Sequence, residues 1–179
     1  EKFKNYHILK KNFDYLINAS GYINNNNKTK YKEHNFEITK NIFWYFRDSK
    51  IKAFISFGSS AEYGGKNSPQ SENFKCKPET YYGKDKLKCT NFLIKSFNKY
   101  SFPMIIFRAY QIYGPLQETN RLIPIASKAC YFNKEFNCID GNQIRDYLYI
   151  DDVVDASLKA LYNRKSIGQI FNLGSGKKI

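Results

Sequence analysis

Ile51-Lys52-Ala53-Phe54-Ile55-Ser56-Phe57-Gly58-Ser59-Ser60-Ala61-Glu62-Tyr63-Gly64-Gly65 decides the fold. Its first half, Ile51 to Phe57, is a short apolar run rich in strand formers, and it stops at a loop of small residues. A similar run precedes it at Phe13-Asp14-Tyr15-Leu16-Ile17-Asn18-Ala19, ending in Ser20-Gly21, and a third follows from Phe102 to Tyr110. Between the first two, Ile38, Ile42 and Phe46 recur every fourth residue within Glu33 to Arg47, which gives a helix one apolar face. Between the second and third, Lys77-Pro78-Glu79-Thr80 is a helix-start signal, and Leu87, Thr90, Ile94 and Phe97 continue a helical face. Strand, helix, strand, helix, strand implies parallel pairing through crossover helices. The expected class is therefore α/β, with a sheet buried on both faces.

Beyond Gly114-Pro115 the pattern is less regular. It predicts a helix from Leu122 to Tyr131 with Pro124 in its first turn, strands at Phe136 to Ile139 and Arg145 to Tyr149, a helix from Asp151 to Tyr162, and a strand from Gln169 to Leu173. No internal repeat is evident, and Asn24 to Asn27 is the one low-complexity tract.

The chain has 179 residues, 42% of them hydrophobic and 17% aromatic, enough to build a core. No apolar run approaches the roughly 18 residues needed to span a bilayer, and the first residues do not resemble a secretion signal, so a cytoplasmic protein with no membrane partner is expected. Met104 is the only methionine, and both ends read as cut from a longer protein. Cys76, Cys89, Cys130 and Cys138 form no C-x-x-C pair and read as free thiols. His7 and His34 have no ligand-spaced neighbour, so no metal is expected. The net charge of +13 is spread along the chain with no concentrated basic stripe, which argues against nucleic acid as a partner. The aromatic residues from Phe43 to Phe46, Trp44 included, are expected in the core beneath a covering helix, and Lys84 and Asp85 on a solvated helix face.

Tyr82-Gly83-Lys84-Asp85-Lys86 places a phenol and an ammonium four residues apart on one helical face. A free phenol ionises near pH 10, and a neighbouring ammonium favours the phenolate, which suits proton transfer. Tyr6-His7-Ile8-Leu9-Lys10 matches the same spacing. What sets Tyr82 apart is the buried strand before it, ending in Gly58-Ser59-Ser60 at the carboxyl edge where open α/β sheets bind ligands. There the Ser59 hydroxyl can hydrogen-bond the same substrate oxygen. Without Tyr82 and Lys86, Ser59 and Ser60 would read as loop-closing small residues.

In order along the chain, the motifs resemble those of the extended short-chain dehydrogenase/reductases that modify nucleotide sugars. Leu16-Ile17-Asn18-Ala19-Ser20-Gly21 resembles the strand and loop beneath the cofactor, and Asn35-Phe36-Glu37-Ile38-Thr39-Lys40-Asn41 the Asn-x-x-Gly-Thr-x-Asn helix, with Ile38 replacing glycine. Phe57 to Gly64 resembles the catalytic serine segment, Tyr82 and Lys86 the Tyr-x-x-x-Lys pair, and Arg108-Ala109-Tyr110-Gln111-Ile112-Tyr113-Gly114-Pro115 the Arg-x-x-Asn-x-Tyr-Gly-Pro segment, with Gln111 replacing asparagine. Arg121-Leu122-Ile123-Pro124 and Gly141 to Tyr147 resemble segments that hold a nucleotide diphosphate, and Phe171-Asn172-Leu173-Gly174-Ser175-Gly176 the late Asn-x-Gly-x-Gly segment.

The resemblance implies a partial Rossmann-like, doubly wound parallel sheet over residues 1–112, followed over 113–179 by the start of a smaller substrate-binding region interleaved with the last Rossmann elements. It implies Ser59, Tyr82 and Lys86 as catalytic residues, NAD or NADP as cofactor, and a nucleotide sugar as substrate. Cofactor contacts would come from Ala19, Ser20, Gly21, Asn35, Phe57, Gly58, Tyr82, Lys86 and Ala109, and substrate contacts from Ser60, Gln111, Arg121, Leu122 and Arg145. Hydride would move at a sugar carbon, commonly C4, with Tyr82 handling the proton and Arg145 pairing with the diphosphate; Arg145-Asp146 is otherwise an ordinary ion pair. Full-length members would form homodimers. Family dehydratases carry Asp-Glu after the catalytic hydroxyl, and members that combine 3,5-epimerisation with reduction carry a cysteine at the position of Ala61; Ser60-Ala61 fits neither. That leaves 4-keto reduction or C4 epimerisation. The glycine-rich turn that receives the pyrophosphate, and the residue that selects NAD or NADP, are not among these motifs. A catalytically silent regulatory or scaffold protein of the same fold is the competing interpretation, and a nucleic-acid-binding module the third.

Overall fold

The three apolar runs become strands, as their composition requires. In a computed structural model, which describes residues 13–22, 32–65, 68–138 and 140–177, the strands are β1 (Tyr15–Asn18), β2 (Ala53–Ser59), β3 (Met104–Ala109), β4 (Gln111–Tyr113), β5 (Tyr147–Tyr149) and β6 (Ile170–Leu173). The α-helices are α1 (Ile38–Phe46), which continues from a π-helical turn at Lys32–Glu37, α2 (Tyr81–Tyr100), α3 (Leu122–Tyr131) and α4 (Ile150–Tyr162). The main sheet runs β1-β2-β3-β6 with every pair parallel, and β4 and β5 form a separate parallel pair.

Strand alternation divides the core into two layers. Ala53, Ile55, Ile105, Phe107 and Leu173 meet Val153, Ala160 and Leu161 of α4 on one face. Phe54, Met104 and Ile106 meet Phe43 of α1 and Leu93 of α2 on the other. Helices therefore cover both faces, the doubly wound arrangement expected from the alternating elements. Parallel register brings the strand ends level, with Asn18 opposite Ser56 and Ser59 opposite Ala109. The loops that follow these strands consequently open on one edge of the sheet.

Helix α2 starts where the sequence signals it. The Thr80 hydroxyl accepts the Gly83 amide at 3.0 Å, and the helix ends at Ser101, whose left-handed φ of 54° turns the chain toward β3. Its first turn lies directly against the turn after β2: a Cβ added to Gly83 would stand 2.4 Å from the Ala61 carbonyl oxygen. Only a residue without a side chain allows that approach, which seats Tyr82 beside the Ser59 segment. Gly83→Ala is expected to destabilise the fold by about 2 kcal/mol through overpacking. A thermal melt that matches the unsubstituted protein would contradict the close contact.

Some sequence expectations are corrected. Phe136 to Cys138 form no strand, since no neighbouring strand pairs with them, and Ile139 lies outside the described residues. The strand expected from Arg145 begins at Tyr147, and three-residue β4 was not anticipated. On α1, Phe43 is buried, but Trp44 is 48% and Tyr45 51% exposed, because a helix over a sheet buries only the stripe facing it. Lys84 is exposed as expected, whereas Asp85 is half-buried, its Oδ2 enclosed without a hydrogen-bond partner among the described residues. His7, the Tyr6 to Lys10 spacing and Asn24 to Asn27 lie outside the described residues.

Candidate active site

Ser59 is the last residue of β2, buried at the carboxyl edge, and its side chain caps a short 3-10 turn at Ser60–Glu62. The Ser59 hydroxyl oxygen accepts the Ala61 amide at 3.2 Å, and the Ser59 amide donates to Glu62 Oε1 at 3.0 Å. This reciprocal capping box fixes the rotamer. Because the oxygen accepts from the turn, its own proton is directed elsewhere and can be donated to a ligand.

Lys86 sits one turn beyond Tyr82 on α2. It is 6% exposed, and its Nζ donates to the Phe57 carbonyl at 2.9 Å while lying 5.9 Å from the Tyr82 ring centre. The bond to Phe57 ties the helix to the strand that carries Ser59. Burial lowers the Lys86 pKa from the ordinary 10.5, opposed by the negative fields of Cys89, Glu62 and Asp85. Tyr82 is half-buried.

A third segment meets these two. After β1, Ala19, Ser20 and Gly21 are exposed, and the buried Asn18 side chain accepts both the amide and the hydroxyl of Ser20, at 3.1 and 2.6 Å. Asn35, buried in the π-helical turn, accepts the Tyr22 amide at 2.9 Å. A Cβ added to Gly21 would stand 3.6 Å from Lys86 Nζ and 4.0 Å from Asn35 Oδ1. Glycine therefore leaves open the space beside the ammonium, where a polar ligand group can reach it. Gly21, Asn35, Phe57, Ser59 and Lys86 are thus brought together, with Ala109 beside Ser59 in register. Gly58 lies beneath the Glu62 carboxylate, which occupies the space a side chain there would take.

The remaining predicted residues lie along the second part of the chain. Gln111 is exposed in β4, Arg121 precedes α3 and pairs with Glu118 at 3.5 Å, and Leu122 is 50% exposed. Arg145 is exposed, its Nη1 donating to the Ile144 carbonyl at 3.0 Å. Asp146 does not pair with it. Its carboxylate accepts the Ser175 amide and hydroxyl and the Gly176 amide at 2.7 to 2.9 Å, which clamps the turn after β6.

The sequence motifs give no role to Glu62, to the side chain of Arg108, or to the Tyr63 hydroxyl. Glu62 is fully buried and holds Arg108 Nε at 3.0 Å; Arg108 Nη1 donates to the Tyr63 hydroxyl at 3.0 Å, which donates to Asn172 Oδ1 at 2.6 Å. The S-x-x-E spacing of Ser59 and Glu62 was a readable capping signal. The ion pair was not, since it requires the β2–β3 register that sets Gly58 opposite Arg108.

Together the site holds a hydroxyl donor, a phenol and a buried ammonium around the ends of β1 and β2. Such a set can move a proton at a bound oxygen and hold a hydroxyl-rich ligand.

The family described as "NAD dependent epimerase/dehydratase family" matches residues 5–174. An uncharacterized UDP-glucose epimerase of Bacillus subtilis (strain 168) is 28% identical over 149 residues, covering 83% of this chain and 47% of that protein. The dTDP-D-glucose 4,6-dehydratase of Homo sapiens is 30% identical over 131 residues, covering 72% of this chain and 37% of that protein. The chain spans about half or less of the curated relatives it matches. In structure, it is similar to UDP-glucuronic acid 4-epimerase from Bacillus cereus, solved with UDP-glucuronic acid and NAD, with a TM-score of 0.86 at 25% identity over 93% of this chain and 55% of that one.

Proposed function

Because the chain belongs to the NAD-dependent epimerase/dehydratase family, we propose that it is part of an NAD(P)-dependent enzyme acting at C4 of a nucleotide sugar, by 4-keto reduction or C4 epimerisation, with Ser59, Tyr82 and Lys86 as its proton-transfer centre. The observation that carries this is the bond from the buried Lys86 ammonium to the Phe57 carbonyl, two residues before Ser59. It joins helix and strand where the loop after β1 leaves Gly21 without a side chain.

The residues fit the implied cofactor. Lys86 spends one of its three donors on Phe57 and faces the opening above Gly21, which suits the hydroxyls of a ribose. When bound, NAD or NADP supplies the hydride acceptor and donor. Ser59 then polarises the sugar oxygen with its free proton, Tyr82 gives or takes the proton on that oxygen, and Lys86 supplies positive charge beside the phenol. In this scheme residues 1–112 serve the cofactor and also contribute Ser60 and Gln111 to the substrate, and residues 113–179 contribute Arg121, Leu122 and Arg145.

Dehydration is disfavoured because Ala61 carries no ionisable group and Glu62, the neighbouring carboxylate, is committed to Arg108 and the Ser59 amide. Product analysis with the full-length protein, incubated in turn with UDP-glucuronic acid, UDP-glucose, dTDP-glucose and, with NADH or NADPH, the 4-keto sugar nucleotides, tests the scheme. A C4 epimer is expected, or a reduced product from the corresponding 4-keto sugar. A 4-keto-6-deoxy product formed from dTDP-glucose would overturn it.

A further inference from the structure

The geometry points to Glu62 as a positioning residue that, by accepting the Ser59 amide, sets the Ser59 hydroxyl in its working orientation and, through Arg108, ties it to the loop at 68–77 and to β6. This rests on Ser59 acting as proposed above.

Glu62 is more than a turn cap. Its Oε1 accepts the Ser59 amide at 3.0 Å, and Oε2 accepts Arg108 Nε at 3.0 Å, with both side chains almost wholly out of solvent. The carboxylate fills the space above Gly58: a Cβ built there would lie 2.4 Å from Oε1. Glycine at 58 is thus required for the carboxylate to reach under Ser59. With its amide held by Glu62 and its oxygen held by the Ala61 amide, Ser59 has both its backbone and its side chain fixed.

Arg108 carries the constraint outward. Its Nη1 donates to the Tyr63 hydroxyl at 3.0 Å and to the Glu72 carbonyl at 3.2 Å. Asn172, which accepts from Tyr63, donates its side-chain amide to the Gln70 carbonyl at 2.8 Å and its backbone amide to Glu72 Oε1 at 2.8 Å. The loop so fastened leads into Thr80, the cap of the helix that bears Tyr82. One polar chain therefore governs where the hydroxyl stands and where the phenol's helix begins.

A role confined to stability is separated by two double variants that lack the charge pair alike. Glu62→Gln with Arg108→Met keeps an acceptor for the Ser59 amide; Glu62→Leu with Arg108→Met does not. In the full-length protein assayed with UDP-glucuronic acid, the Leu version is expected to show kcat about 30-fold below the Gln version, with KM and NAD affinity alike within about threefold. Hydrogen exchange at the Ser59 amide should be fast only in the Leu version. Equal kcat and equal exchange in the two would overturn the inference. Should either double variant fail to fold, the single variants Glu62→Gln and Glu62→Leu give the same comparison, with kcat expected about tenfold lower in the Leu version at unchanged KM, and equal kcat in the two overturning the inference. Ser59→Ala distinguishes the premise: turnover that survives it removes the role of Ser59 itself, whereas turnover lost in Ser59→Ala but equal in the paired variants removes only the role of Glu62.

Discussion

Tyr82→Phe is expected to lower kcat by about a thousandfold while leaving KM and cofactor affinity within a fewfold, the pattern for loss of a proton-transfer group. Phenylalanine preserves the half-buried ring and its seat beside Gly83, where α2 packs against Ala61. It also keeps the aromatic face that lies 5.9 Å from Lys86 Nζ. Only the hydroxyl is lost, so a fall in kcat isolates the proton it carries. Steady-state kinetics on UDP-glucuronic acid give the result; turnover within tenfold of the unsubstituted protein would remove Tyr82 from the chemistry.

Lys86→Met should separate function from stability even more sharply. Lys86 is an ammonium at 6% exposure with one hydrogen bond to the Phe57 carbonyl, and no carboxylate forms a salt bridge with it among the described residues. Desolvation lowers its pKa below 10.5 in the folded chain, so between the folded value and 10.5 the unfolded chain binds more protons. Stability attributable to this group therefore rises with pH across that window, and the full penalty is present below it. Methionine fills similar volume without the charge. The variant is expected to gain about 1 kcal/mol at neutral pH, to lose the alkaline rise, and to lose at least about a hundredfold in kcat. Parallel denaturant titrations at neutral and alkaline pH check the first two and kinetics the third. A variant both less stable and fully active would contradict the assignment.

How much of this was legible in the sequence follows from where each signal resides. Strands β1, β2 and β3 were readable because a parallel sheet covered on both sides needs continuous apolar runs such as Ala53 to Phe57. Thr80 and the α2 face were readable because capping and helical period are local. β4 was not, since three residues carry too little periodicity; β5 was readable within Arg145 to Tyr149 but begins two residues later, and Phe136 to Cys138 has the composition of a strand but finds no partner. At the site, Tyr82, Lys86 and Ser59 followed from spacing and resemblance. The buried Glu62–Arg108 pair did not, because two charges far apart in sequence give no sign of meeting until β2 and β3 align. Asp146 was misjudged for the same reason: its partners, Ser175 and Gly176, arrive only with the return of β6.

The most direct test is a crystal structure of the full-length protein with NAD and UDP-glucuronic acid. One sugar oxygen should lie about 3 Å from both Ser59 Oγ and Tyr82 Oη, with Lys86 Nζ reaching the nicotinamide ribose while keeping the Phe57 carbonyl. A sugar seated so that no oxygen is shared by Ser59 and Tyr82, or a Lys86 turned away from the ribose, would contradict the proposed centre.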